Sequence, residues 1–110
     1  MPVEATPLSA AVFHVLLALS EGPLHGYGIM RRVEEASGRA SGPGTIYGSI
    51  QRLCDAGWIA EGPPDDGDAR RGRTFALTHQ GRNALAHEAR RITRLARLAD
   101  VRKLAADANA

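Results

Sequence analysis

The stretch that most restricts how this chain can fold runs from Gly42 to Ile59, Gly-Pro-Gly-Thr-Ile-Tyr-Gly-Ser-Ile-Gln-Arg-Leu-Cys-Asp-Ala-Gly-Trp-Ile. Pro43 suits a first helical position, because its missing N–H is one that a helix start does not use. Gly57 suits the stop, since it takes the left-handed backbone of a helix end without a Cβ clash. Between them, Ile46, Ile50, Leu53 and Cys54 recur at the steps that line one side of a helix. At about 100° per residue they cover an arc of roughly 100°, enough to seat the helix on a core. The opposite arc holds Thr45, Gly48, Gln51 and Arg52, flanked by Tyr47 and Ser49, and only Asp55 near its far end is negative. A helix that is apolar beneath and polar above fits a DNA groove, where such side chains bond base edges or phosphates. The same pattern describes an ordinary amphipathic helix, so the surrounding chain has to decide.

Upstream, residues 1–5 offer nothing to pack. Thr6-Pro7 reads as a cap and first-turn proline, followed by an apolar run from Ala10 to Leu19. Val12, Phe13, Val15, Leu16, Leu17 and Leu19 surround nearly the whole circumference of that helix, so it needs cover on all sides, from its own domain and a second chain. His14, the one polar side chain in the run, reads as a hydrogen-bonded buried or interface histidine. Gly22-Pro23 ends the helix. A second helix opens near His25-Gly26 and runs to Ser37, with Ile29, Met30, Val33 and Ala36 inward and Arg31, Arg32, Glu34 and Glu35 outward. Gly38 stops it, and a short turn leads into the helix of the opening stretch. Two short helices joined by a tight turn, the second polar outside, form a helix-turn-helix.

Downstream, Trp58 to Glu61 reads as a short strand and Thr74 to Thr78 as a second, half-buried one. Residues 62–73 between them hold turn formers and no core-forming side chain, and they would project Arg70, Arg71 and Arg73 from a hairpin tip. Such a wing lays arginines along a phosphate backbone or into a minor groove. Thr78 then caps a last helix reaching about Ala106. Its stripe of Leu85, Ala89, Ile92, Leu95, Ala96 and Ala99, widened by Leu98, Val101 and Leu104, overruns so small a domain and calls for a coiled-coil-like partner. The expectation is a mainly α chain with a small two-stranded β-hairpin wing. A winged helix-turn-helix spans residues 6–78 and a long C-terminal dimerisation helix spans 79–106.

A chain of 110 residues fits one modest core. No signal peptide is read at its start, and the apolar run Ala10 to Leu19 is too short for a bilayer needing about 20 residues, so the expectation is a cytoplasmic protein with no membrane partner. The single Cys54 lies on an apolar face and reads as a core thiol. Charge is uneven: four arginines face nine acids before residue 70, and nine arginines with one lysine face three acids after it. A basic C-terminal part suits a polyanion, although Arg82, Arg90, Arg91, Arg94, Arg97 and Arg102 are more simply the solvated faces of the long helix. No phosphate loop, paired carboxylates or nucleophile motif is present, and His14, His25, His79 and His87 lack zinc spacing with Cys54. Neither an enzyme nor a cofactor or metal site is expected.

His25-Gly26-Tyr27-Gly28-Ile29, Gly44-Thr45-Ile46-Tyr47, Leu53, Gly57-Trp58-Ile59, Leu77-Thr78 and Gly81-Arg82 together resemble the PadR family of transcriptional regulators, in order and spacing, from about Leu8 to Leu104. The resemblance implies a winged helix whose C-terminal helix dimerises with the first helix, so that the interface would use Phe13 and Leu16 with Leu85, Ala89, Ile92, Leu95, Ala96 and Ala99. It implies a repressor, and DNA contacts at Tyr27, Thr45 and Tyr47. An effector, small and aromatic or hydrophobic, would act near the dimer interface. Two residues depart from the family's pattern. Gly48 stands where a proline is usual, which loosens the helix by up to ~1 kcal/mol relative to alanine and lets the backbone sit nearer DNA. Trp58 replaces an aliphatic residue and reads as packing behind the recognition helix, with stacking on an aromatic effector as the lesser alternative.

The first functional expectation is therefore a homodimeric, sequence-specific repressor on a palindromic double-stranded operator, with half-sites about one helical turn apart. Arg52 and Gln51 would read base edges, because Arg pairs with guanine and Gln with adenine. Thr45, Tyr47, Ser49, Tyr27 and the wing arginines would hold phosphates, with Gly48 at the closest backbone approach. The alternative is a winged-helix protein-interaction module without sequence-specific DNA binding, favoured by the acidic first part of the chain. Salt-dependent DNA affinity separates the two.

Overall fold

The computed structural model describes residues 8–39, 42–64 and 72–103. Their elements are α1 (Ala10–Ala18), β1 (Leu24–His25), α2 (Gly26–Ser37), α3 (Pro43–Asp55), β2 (Ile59–Pro64), β3 (Arg73–Leu77) and α4 (His79–Val101). Thr6 lies outside the described residues. The hydroxyl that caps α1 is that of Ser9, accepting the Val12 N–H at 3.2 Å. Val15, Leu16, Ala18 and Leu19 are buried, and α1 packs on α2, α3 and α4. The helix is thus covered mostly by its own protomer, with Leu17 left exposed. Leu16, Leu19, Ile29 and Ile46 are the largest fully buried apolar side chains, each contributing about 2 kcal/mol by leaving water.

Helix α2 ends where Gly38 turns left-handed (φ 72°) and its N–H returns to the Glu34 carbonyl. Ile29 and Val33 are buried and Met30 is half-buried, whereas Ala36, expected on the inner stripe, is exposed at the helix end. In α3, Ile46, Ile50 and Leu53 are buried and Cys54 packs against the same cluster. Burial pushes the Cys54 thiol up from its ordinary value, as fits a packing role. The helix stop is built as the sequence requires. Gly57 is left-handed (φ 82°), its N–H donates to the Cys54 carbonyl at 3.1 Å, and the Trp58 N–H donates to the Leu53 carbonyl at 3.0 Å.

Trp58 is spent on that stop rather than on a strand, and β2 begins one residue later. The hairpin β2–β3 pairs Ile59 with Leu77, Ala60 with Ala76 and Glu61 with Phe75, then shifts register before Pro64 meets Arg73. The wing sheet has three strands in the order β1-β3-β2, because Leu24 and His25 add to the outer edge of β3 opposite Phe75 and Thr74. A two-residue strand carries no alternation for a sequence to display, so the expected two-stranded wing gains an edge strand.

A seam of short contacts joins the end of α3 to the start of α4. The Thr78 hydroxyl donates to the Gly57 carbonyl at 2.6 Å, and the Thr78 N–H donates to the Trp58 carbonyl at 3.0 Å. The same hydroxyl accepts the Gly81 N–H at 3.1 Å and so caps α4. Gly81 is pressed so closely on Trp58 that a Cβ there would run into the Trp58 carbonyl. Helix α4 runs to Val101 and is closed by Arg102 and a left-handed Lys103 (φ 61°), and the expected Leu104 and Ala106 lie outside the described residues. Gly81, Ala84, Leu85 and Glu88 are buried, while Ile92, Leu95, Leu98 and Val101 are exposed. The part of α4 that leaves the core therefore begins near residue 92.

Candidate nucleic-acid interface

Helix α3 presents Thr45, Tyr47, Gln51 and Arg52 as exposed side chains, with Gly48 half-buried between them. Ser49 is not among them. It is 1% exposed, because Ile46, Ser49, Ile50 and Leu53 follow the i, i+3, i+4, i+7 spacing of the core face. A phosphate contact by Ser49 is thereby corrected. Its hydroxyl instead accepts from Nη2 of Arg52 at 3.3 Å. The guanidinium lies back along its own helix over Gly48, whose absent Cβ would sit 3.8 Å from Nη1. Gln51 is likewise engaged, its Nε2 donating to Oδ1 of Asp55 at 3.1 Å. The Gln51–Asp55 contact is exposed and worth on the order of 0.5 kcal/mol, so Gln51 swings outward at little cost, whereas the Arg52 contact is part-buried.

Beside α3, the first turn of α2 presents Tyr27, 60% exposed. Its hydroxyl accepts from Nη1 of Arg31 at 3.4 Å. That hydrogen bond is the first cause of an Arg31 guanidinium raised above its ordinary value. Arg31, read from the sequence only as a water-facing residue, is thus a cation standing with Tyr27. Its place four residues after Tyr27 was the available signal. Tyr47, 47% exposed, lies with its ring over Gly26, the first residue of α2. In the wing, Arg73 is exposed and its Nε stands 3.5 Å from Oε1 of Glu61 on the neighbouring strand. Arg70 and Arg71 lie outside the described residues.

The residues expected at a dimer interface divide. Leu16 and Leu85 belong to the protomer's own core and offer a partner nothing, which corrects their assignment. Phe13 is half-buried on that core, its ring edge-on to His14 at 6.2 Å. Nδ1 of His14 is buried without a hydrogen-bond partner among the described residues, contrary to the expected bonded histidine. Ala89 and Ala99 are half-buried, and Ile92, Leu95 and Ala96 are exposed. Between the two groups sits a pair that sequence reading missed. Glu88, 3% exposed, accepts from Nε and Nη2 of Arg91 at 2.7 and 2.8 Å and from the Leu8 N–H at 3.0 Å. The Arg91 hydrogen bonds hold its carboxyl below the usual carboxylate value. Arg91 is consequently half-buried rather than solvated. Among the described residues no group of three or more His, Cys, Asp or Glu could hold a metal ion. No helix among them is long and apolar enough to cross a membrane.

The profile of the transcriptional regulator PadR-like family matches residues 15–87, from α1 through the wing into α4. The chain belongs to the PadR-like family. It is 43% identical over 81 residues to an uncharacterized 37.1 kDa protein in transposon TN4556 of Streptomyces fradiae, covering 74% of this chain but only 22% of that protein's length. Among solved structures, RosR of H. salinarum superposes with a TM-score of 0.71 at 24% identity, over 96% of both chains. PadR of Bacillus subtilis in complex with operator DNA superposes with a TM-score of 0.62 at 25% identity, over 71% of this chain and 45% of that one. The same B. subtilis protein in complex with p-coumaric acid gives a TM-score of 0.56 at 23% identity, over 74% and 42%. The PadR-like match takes in α2, α3 and the wing strands together, so Tyr27, Arg31, Thr45, Tyr47, Gln51, Arg52 and Arg73 all lie within it.

Proposed function

We propose that this chain is a sequence-specific DNA-binding repressor that acts as a homodimer. The observation that carries the proposal is the outward face of α3. Thr45, Tyr47, Gln51 and Arg52 stand exposed on a helix whose other face is locked into the core, with Tyr27 and Arg31 beside it and Arg73 on the wing. Arg52 and Gln51 read base edges in the major groove. Thr45, Tyr47, Tyr27, Arg31 and the wing arginines Arg70, Arg71 and Arg73 hold phosphates, and Gly48 allows the closest backbone approach. Membership of the PadR-like family supports this reading, as does the likeness to a B. subtilis relative solved with operator DNA.

In this reading the partner in the dimer is a second copy, seated on Ala89, Ile92, Leu95, Ala96 and Ala99 of α4, with Phe13 of α1 at its margin. The exposure of Ile92, Leu95, Leu98 and Val101 on a helix that leaves its own core supports it. A small aromatic or hydrophobic effector acts near that interface and changes the spacing of the two recognition helices. The p-coumaric acid complex of the B. subtilis relative supports this part.

The test is binding of the full chain to DNA from upstream of its own coding region, titrated against salt and unrelated competitor. Tight binding that survives competitor is the expected result. Binding that salt and competitor abolish equally would mean a non-specific polyanion binder. Absence of binding at low salt would turn the assignment to the protein-interaction module.

A further inference from the structure

Gly26 opens α2 and is buried, yet its backbone is not left-handed, so its torsion angles do not call for glycine. Space does. A Cβ at residue 26 would stand 2.5 Å from Cε1, 3.1 Å from Oη and 3.2 Å from Cζ of Tyr47. All three neighbours are atoms of one side chain, and none is backbone. The neighbouring glycines differ. A Cβ on Gly28 would meet only Leu24 at an ordinary 3.6 Å, and one on Gly42 or Gly44 would meet nothing within 4 Å.

We propose that Gly26 is a positioning residue for DNA recognition: its bare backbone forms the slot in which the Tyr47 ring lies, and so fixes the Tyr47 hydroxyl at the junction of α2 and α3 as a phosphate contact. This rests on the DNA-binding reading above and adds how one of its contacts is set before DNA arrives. Tyr47 is half exposed, so without the slot its ring has solvent to turn into. A side chain held in one rotamer beforehand does not have to be ordered on binding, which lowers the cost of forming the interface. The three atoms nearest to a Cβ at residue 26 all belong to the far end of that ring, so the ring is the group that has to move.

The experiment measures operator affinity and thermal unfolding of the full chain for Gly26→Ala, Gly28→Ala, Tyr47→Ala and the double variant Gly26→Ala/Tyr47→Ala. Gly26→Ala is expected to keep its cooperative unfolding and lose about tenfold in affinity. Gly28→Ala, whose Cβ does not reach Tyr47, stays close to wild type. In the Tyr47→Ala background, adding Gly26→Ala changes affinity no further. Unchanged affinity in Gly26→Ala, or an equal loss with and without Tyr47, overturns the proposal while leaving DNA binding intact. A wild-type chain that binds no operator at low salt removes both. If Gly26→Ala fails to fold, the double variant must regain the fold because the ring is gone, and failure to regain it overturns the proposal as well.

Discussion

The two halves of α4 carry the same kind of stripe and meet opposite fates. From Gly81 to Glu88 the helix lies in the protomer's core, sealed by Leu85 against the cluster around Leu16. From Ile92 onward Leu, Ile and Val recur with the same spacing but stay exposed, until Val101 is 80% open to solvent. Periodicity tells which side of a helix is apolar; it does not tell which neighbour covers it. The first half shows the stripe answered within one chain, and the second shows it unanswered among the described residues.

The sharpest way to break the comparison is to place a carboxylate in each half. Leu85→Asp buries an unpaired charge and removes a core side chain, and should cost about 4 kcal/mol or more, abolishing cooperative thermal unfolding. Ile92→Asp should leave the circular-dichroism spectrum and melting of the protomer near wild type, while sedimentation shows monomers. Operator affinity then falls at least about tenfold, because each half-site loses its tethered partner. If Ile92→Asp instead unfolds the protein, or wild type sediments as a monomer, the two halves do not differ as argued.

The junction between them supplies a second test. The Glu88 carboxyl lies below its ordinary value of 4.5, so its stabilising effect is present at neutral pH and is lost as pH falls through the acid range below that value. Glu88→Ala, which orphans Arg91 and the Leu8 N–H, should cost about 2 kcal/mol at pH 7 in denaturant titration. Its melting temperature should also depend less on pH in the acid range than that of wild type. An acid dependence identical in the two proteins would mean that other carboxylates govern it.

Smaller effects belong to α3, where the comparison is between reading and holding. Arg52→Ala should keep the dimer and lose about 1–3 kcal/mol of discrimination at one operator position, measured on a set of singly substituted operators. Arg31→Ala should weaken binding evenly across that set and reduce the salt dependence by about one phosphate contact. An Arg31 effect confined to one base position would reassign it from holding to reading.

The parts of this fold that were legible in the sequence are those where the backbone itself restricts the residue. Pro43 and Gly57 bounded α3, Gly38 stopped α2 and Thr78 capped α4, each because few residues suit those positions. The match between α3's apolar arc and its buried face follows from the same regularity. The sequence misleads where residue type and helical position point to different environments. Ser49 looked like a DNA contact because it is polar, although its spacing with Ile46 and Ile50 put it on the core face. Arg91 looked solvated because it is charged, although Glu88 three residues earlier gave it a buried partner. Leu16 and Leu85 carried no mark distinguishing a protomer's core from an interface, because both environments select the same side chain. β1 is too short to leave any pattern.

The seam at Gly57, Trp58, Thr78 and Gly81 has a mechanical consequence. Backbone carbonyls, the short Thr78 hydroxyl and a glycine at van der Waals limit join the end of α3 directly to the start of α4, so the two helices act as a bell-crank with its pivot at the seam. A tilt of about 5° imposed on α4 would swing the far end of the roughly 20 Å arm made by α3 through roughly 2 Å. That travel is comparable to the difference between a made and a broken hydrogen bond at a base edge. Whatever grips the outer end of α4 therefore holds the handle of the tool that α3 applies.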